Sequence, residues 1–411
     1  MRAATGLICA LLLASPAAAA EYRLRVVALA GAPSPIGGSF DHFSLVAVPV
    51  VTPVNGRGDV AFFATLARAA APEGLFLARG ARTAKIAAEG DRVGRLGKIT
   101  GFGKEPIPSL NDRGDVAFHA SLAGGSSVDG IFVGSVGRVP RAVVLSGQPA
   151  PGVPSGTVAG LGAPALNERG DVAFLATVQR GRDTIDAIYL STGGGVRKVA
   201  VQGDPSPIGG AFAGFGPPSL NNRGAVAFGA VVEGGRAVGG LFVREASGRA
   251  RKLVLAGDET PVGGIFARFG ERVSLNDAGQ IAFHGIINGD ANPAGIFVAA
   301  GDLVTVVAAV GSAPLGAERL VSLGPWPALA GDGRVGFIAA LEGGAVAAFV
   351  WGPDGIARAA AAGDRSSAGL IGSFGLYPVL SINDRGTVAF NIAPTAGTQG
   401  PEAILAADPA R

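Results

Sequence analysis

After the first twenty residues, short apolar runs of four to eight residues alternate with segments rich in Gly, Pro, Asn and Asp. No stretch keeps a helical period with start and stop signals, so the pattern predicts strands and turns throughout. The densest run is Val-Ala-Phe-x-Ala, at Val60–Ala64, Val116–Ala120, Val172–Ala176 and Val226–Ala230. It is apolar at nearly every position, which predicts a strand buried on both faces rather than a half-exposed, alternating one. Just before it lies a polar turn. In Ser109–Phe118 (S-L-N-D-R-G-D-V-A-F) the side-chain oxygen of Asn111 can fold back onto the backbone two residues on, and Gly114 supplies a positive φ, giving a tight hairpin.

The hairpin recurs at Asn55–Phe62, Asn167–Phe174, Asn221–Phe228, Asn276–Phe283 and Asn383–Phe390, with a degenerate copy at Ala330–Phe337 where alanine replaces asparagine. Successive starts are 56, 56, 54, 55, 54 and 53 residues apart. Each unit carries four apolar segments; in the second these are Ile107–Leu110, Asp115–Leu122, Gly130–Val133 and Ala142–Leu145. Four strands repeated seven times predict an all-β, seven-bladed β-propeller with four antiparallel strands per blade. The segment Arg23–Leu29 reads as a fourth-type strand and Ala403–Ala406 as a third-type strand. The N-terminal strand is therefore expected to join the C-terminal blade as its outer edge and close the ring.

Composition adds a setting. Residues 1–20 read as an export signal: Arg2, an apolar core over Leu7–Leu13, and Ala18-Ala19-Ala20 before Glu21. The apolar core is too short for a membrane span, and Cys9 lies within it, so the remainder is cysteine-free and expected to fold without disulfides. Residues 21–411 read as one propeller domain, expected to be monomeric and periplasmic or secreted, with no membrane anchor. Without Arg2 the chain has 33 basic and 31 acidic residues, too balanced for a nucleic-acid partner. The 67 glycines and 27 prolines sit at fixed offsets in the repeat and read as turns.

The recurring N-x-x-G-x-x-x-F resembles the exported bacterial repeat proteins named for an N-x-x-G-x-x-A-F pattern and for variable C-terminal ("choice-of-anchor") segments, a resemblance that covers the chain after residue 20. No activity follows from it. This chain lacks the C-terminal anchor of many members, which implies a soluble form. The hairpin is also similar to that of Tol-system WD40-like propellers, which bind proteins; that likeness implies fold more than function.

Candidate chemistry is sparse. A second repeated loop, Gly203–Gly216 and Gly257–Gly270, hands one blade to the next and is expected on the funnel face, with the N-x-x-G hairpins on the opposite face. Within it Asp91, Asp204, Asp258 and Asp364 share one offset; they are ligand-binding candidates as a carboxylate ring, or else each satisfies amides of its own loop. Arg57, Arg113, Arg169, Arg223 and Arg385 recur in the hairpins, either as a ring for an anion or an acidic partner or as solvated turn residues, balanced at Arg113 and Arg169 by an aspartate two positions on. His119 and His284 share a slot filled elsewhere by Phe63, Leu175, Gly229, Ile338 and Asn391, a variety that reads as packing. The sixth unit departs most from the repeat and holds both tryptophans, Trp326 and Trp351, a candidate aromatic patch for a glycan or partner. No metal-site spacing, nucleophile elbow or phosphate-binding loop is present, so neither metal nor cofactor is expected. The leading expectation is a non-catalytic binding or scaffold propeller recognising a protein or polysaccharide on its funnel face. The alternatives are an extracytoplasmic glycan hydrolase or lyase built on Asp41, His42, Glu271 and Glu318, which lack faithful repeat equivalents, and a structural surface or matrix component.

Overall fold

The computed structural model describes residues 21–410 except 46–47, 103–105, 290–291, 317, 376, 395–399 and 401. The expected leader, residues 1–20, lies outside the described residues. Seven antiparallel sheets form a closed ring. Blade 1 covers residues 39–88, blade 2 98–145, blade 3 157–201, blade 4 211–255, blade 5 265–309 and blade 6 320–361; blade 7 combines 380–409 with Tyr22–Leu29. That last pairing runs antiparallel from Tyr22 opposite Pro409 to Leu29 opposite Ala403, so both ends of the described chain share one blade, as the strand types predict. Arg25 and Asp408 pair across it at 3.2 Å.

Strands of a blade run from the axis outward in sequence order, and the innermost is longer than the apolar pattern suggested. In blade 4 it is split into Ala211–Phe215 and Ser219–Leu220, both paired with Val226–Glu233. Blade 2 is built alike, with Lys98–Gly101 and Ser109–Leu110 on Val116–Ala123. The stretch Gly203–Gly216, read as a loop, therefore carries half a strand. Its Gly and Ala content hides the strand, because the backbone there bulges (the register slips between Phe212 and Gly214) instead of presenting a regular apolar face.

The second and third strands are buried on both sides. Phe118 and Phe132, with Val116, pack against Phe63, Leu75 and Ile86 of blade 1, while Ala117 and Ile131 of the same strands pack against Phe174 and Val172 of blade 3. Within each blade the repeated phenylalanines face each other across the ladder, at centroid distances of 5.6 Å for Phe62–Phe76, 5.9 Å for Phe118–Phe132 and 5.4 Å for Phe337–Phe349. Such pairs add to the burial term that holds blade on blade.

At the axis the hairpin asparagines join the blades. The Oδ1 of Asn111 accepts the amides of Arg113 (3.1 Å) and Asp115 (2.9 Å) in its own turn. Its Nδ2 donates to the backbone carbonyl of Asn167 in the next blade. The same donation runs from Asn55 to Asn111, Asn167 to Asn221, Asn221 to Asn276 and Asn276 to Ala330, and Asn383 closes the circle on Asn55 at 2.7 Å. Blade 6 has no side-chain amide to pass on; there Asp332 closes the turn by accepting the Arg334 amide at 3.1 Å.

Replacing Asn111 with alanine leaves two turn amides and one inter-blade carbonyl without their partner, and is expected to cost about 2–3 kcal/mol in a urea unfolding titration. Ala330→Asn restores the missing link and is expected to stabilise by about 1 kcal/mol in the same titration.

Candidate functional site

The residue after each asparagine faces the axis. Gly56, Asp112, Glu168, Asn222, Asp277, Gly331 and Asp384 surround a cavity of about 230 Å³ at the hairpin end of the channel. These side chains also bond from blade to blade: the Gly56 amide donates to Asp112 (2.6 Å), Asp112 to Glu168 (2.8 Å), Glu168 to Asn222 (2.7 Å), Asn222 to Asp277 (2.7 Å) and Gly331 to Asp384 (2.5 Å). Burial pushes the Glu168 carboxyl up, the Asp112 amide opposes this, and the Asp112 charge adds to it. The sequence reading placed converging polar groups on the other face and missed this ring. The available signal was the run of acids and amides directly after each turn asparagine.

Of the two readings of the four aspartates, a carboxylate ring or closure of each one's own loop, the hydrogen bonds follow the second. Asp91 accepts the Ala88 amide at 2.9 Å and pairs with Lys85 at 2.7 Å. Asp204 repeats this with Val201 and Lys198, both at 2.9 Å. Asp258 accepts the Leu255 amide at 2.8 Å and Asp364 the Ala361 amide at 2.7 Å. Each thus closes the turn that ends a fourth strand. Among the described residues no group of three His, Cys, Asp or Glu side chains is placed to hold a metal ion.

The proposed acids and base separate. Asp41 and His42 stand in blade 1, Glu271 lies on the inner strand of blade 5, and Glu318 lines a recess with Leu315 and Arg358 in blade 6. The partner of His42 is Glu402 of blade 7, which the sequence did not flag. Its Oε2 accepts from His42 Nδ1 at 2.7 Å, and its Oε1 accepts the amides of Phe43 (2.7 Å) and Ser44 (3.1 Å) and the Ser44 hydroxyl (3.0 Å). The bond to Glu402 raises the His42 pKa from 6.5; partial burial opposes this, and the charges of Glu402 and Asp41 add to it. Both oxygens of Glu402 are thus committed to tying blade 1 to blade 7. Nor do the tryptophans meet in one patch: Trp351 packs into the core between blades 5 and 6, while Trp326 lies beneath the Arg272 guanidinium, 4.7 Å from its ring centre. His119 is buried 3.8 Å from Asp129 in blade 2.

A larger hollow lies away from the hairpins, at the end where inter-blade loops and second-to-third-strand turns gather. It measures about 610 Å³, with Phe215 and Gly216 of blade 4 and Phe269 to Glu271 of blade 5 on its walls and Asp186 of blade 3 at its edge. Blade 4 contributes glycine from two slots to its lining. Gly229 occupies the position of Phe63, His119 and His284, and Gly239 that of Glu73, Asp129, Asp186 and Glu402. A Cβ at Gly229 would meet only Leu241, at 3.7 Å, so neither backbone strain nor crowding requires glycine there. Asp186 is half-buried, and burial pushes its carboxyl up.

A family model described as a family of unknown function, DUF7453, matches residues 17–308 and 237–410. The chain belongs to this family. No curated protein matches it. Among solved structures the chain is similar to an oligogalacturonate lyase in complex with manganese (TM-score 0.51, 11% identity, 95% of this chain and 99% of that one). It is also similar to a puromycin-hydrolysing peptidase of Mycobacterium tuberculosis (TM-score 0.48, 14% identity, 87% of this chain) and to TolB of Acinetobacter baumannii (TM-score 0.40, 13% identity, 95% of this chain and 97% of that one). The chain spans about half the length of the peptidase, covering 51% of it. At these identities the likeness is one of fold.

The His42–Glu402 contact predicts a pH dependence for this family member. The protonated imidazole is favoured in the fold, so its stabilisation is present in full below pH 6.5, the ordinary value, and is lost as pH rises through the higher folded value. The melting temperatures of the wild type and His42→Asn should therefore differ at pH 5.5 and converge by pH 8.5; an equal gap at both would show that the charge has no part in the seam.

Proposed function

We propose that this chain is an exported, non-catalytic binding propeller that presents the face carrying the inter-blade loops to a protein or polysaccharide partner. The observation that carries this is where exposed apolar side chains gather. Val128, Val231, Val238, Ile265, Leu315 and Leu370 stand at that end of their blades, against Val136, Val139 and Leu303 at the hairpin end. Large side chains left in water on one face mark a surface that another molecule covers. The dispersal of Asp41 and His42, Glu271 and Glu318 over three places supports binding over turnover, since catalysis needs unlike groups around one reacting atom. The leader-like residues 1–20 and the resemblance to choice-of-anchor repeat proteins support export, to the periplasm or beyond. A second reading, a glycan hydrolase or lyase, has the Asp41–His42–Glu402 group in its favour.

The two readings part on one comparison. Wild type, a Val238→Asp/Leu315→Asp variant and a Val136→Asp/Leu303→Asp variant would be immobilised and exposed to periplasmic extract and to a glycan panel, with product release measured in parallel. Binding is expected to be lost only in the first variant. Loss only in the second would move the partner to the hairpin face, and glycan cleavage abolished by His42→Ala would establish the enzyme.

A further inference from the structure

We infer that the hollow between blades 4 and 5 is a binding site for a small organic cation, an aromatic or aliphatic body bearing an ammonium group. This rests on the reading that the inter-blade-loop face is the binding face, and it adds a site and a ligand chemistry to it.

The slot before the third strand holds an acid in four blades: Glu73, Asp129, Asp186 and Glu402. The acid before the third strand reaches across to the next blade's inner strand: Glu73 accepts the Phe102 amide at 2.6 Å, and Glu402 accepts that of Phe43 at 2.7 Å. Asp186 occupies this slot in blade 3 and is one methylene shorter. Its Oδ2 lies 4.0 Å from the point where a Cβ would sit at Gly214, whereas the Glu73 carboxylate lies 2.9 Å from the equivalent point at Gly101. Among the described residues no side chain or amide donates to the Asp186 carboxylate, which faces the hollow. Its oxygens stay open to solvent, so a ligand's donor can reach them, and half-burial strengthens such an ion pair relative to one in bulk water.

The next blade leaves the space. Gly229 leaves open space on the blade 5 side of blade 4, where a Cβ would meet only Leu241 at 3.7 Å, and a volume of about 610 Å³ falls within the range of small-molecule sites. Phe215 and Phe269 give the walls an apolar, aromatic character, and Val231 and Val238 extend it to the rim, 55% and 73% exposed. Of the charged groups there, Asp186 and Glu271 are acidic and only Arg268 is basic. An ammonium group can donate to Asp186 while its apolar body lies against the phenylalanines, where a cation is also attracted to an aromatic face.

Calorimetry on the purified chain tests this with benzylamine as the probe and benzyl alcohol as its neutral counterpart. Benzylamine is expected to bind at least about tenfold more tightly, Asp186→Asn to remove that advantage while leaving benzyl alcohol unchanged, and Gly229→Leu to weaken both by about tenfold through filling the hollow. If Gly229→Leu fails to fold, Asp186→Asn decides alone, because it changes charge at constant shape. Absence of benzylamine binding, equal affinity for the two probes, or indifference to Asp186→Asn would overturn the inference. The partner reading is tested separately: Val238→Asp/Leu315→Asp reports macromolecular capture, so amine binding that fails while capture persists sinks the small-cation site alone, and the reverse sinks the partner reading alone.

Discussion

A primary amide at the tip of six of the seven hairpins is the constraint on which the ring depends. The turn requires an acceptor short enough to reach two amides of its own loop, and the neighbouring blade requires a donor on the same side chain. Asparagine meets both needs: Asn167 holds Arg169 and Asp171 with Oδ1 and reaches Asn221 with Nδ2. Aspartate would close the turn but could not donate, and it would crowd negative charges around a narrow axis already lined by Asp112, Glu168 and Asp277. Serine would not span the gap. The rest of the hairpin is freer, since the aspartate position accommodates Gln280 or Thr387, whose amides still donate to Asn276 and Asn383.

A ring made this way must still be closed where the chain is not continuous, and the seam carries contacts the other junctions lack. The outer strand of blade 7 comes from the other end of the chain and is held along its whole length, from Tyr22 to Leu29. Inside, Glu402 gathers His42, Phe43 and Ser44, while Asn391 donates to the Phe43 carbonyl at 2.8 Å and accepts from Thr52. Blade 1 has only Ser39–Phe40 as regular inner strand. These side-chain bonds replace the ladder it does not have, and His42 is therefore explained by closure as fully as by chemistry.

The sequence made the architecture legible because its cause is local and repeated. Val-Ala-Phe-x-Ala buries both faces of a strand wherever it occurs, and a turn asparagine followed three residues later by glycine folds the same hairpin six times, with Ala330 in its place in the seventh. The site was less legible because it is made of differences between positions about 55 residues apart. Gly229 means nothing beside Phe228; it becomes a missing wall only when set against Phe63 and His284 in the same slot. Glu402 looks like a stray acid before a strand until the fold carries it to Phe43. The polar ring was missed for the same reason: chain order shows that hairpins and inter-blade loops lie at opposite ends, but not that the residue after each turn asparagine lines the axis.

Uniform blades make a rigid ring, and a rigid ring has little to offer a ligand. The acid before the third strand shows how the two demands are reconciled. At Glu73 and Glu402 its length suffices to anchor the next blade, and the carboxylate is consumed in doing so. At Asp186 a single methylene fewer leaves the junction to apolar packing, among them Ile188, Leu190 and Phe212, which continues on both sides of the gap. The ring keeps its shape because burial between blades, not this one bond, supplies most of the energy. A carboxylate released from structural duty, at the edge of a hollow that Gly229 leaves open, is then free to face solvent or a guest. Departure from the repeat at one junction thus converts a structural acid into an available one without cost to the closure of the circle.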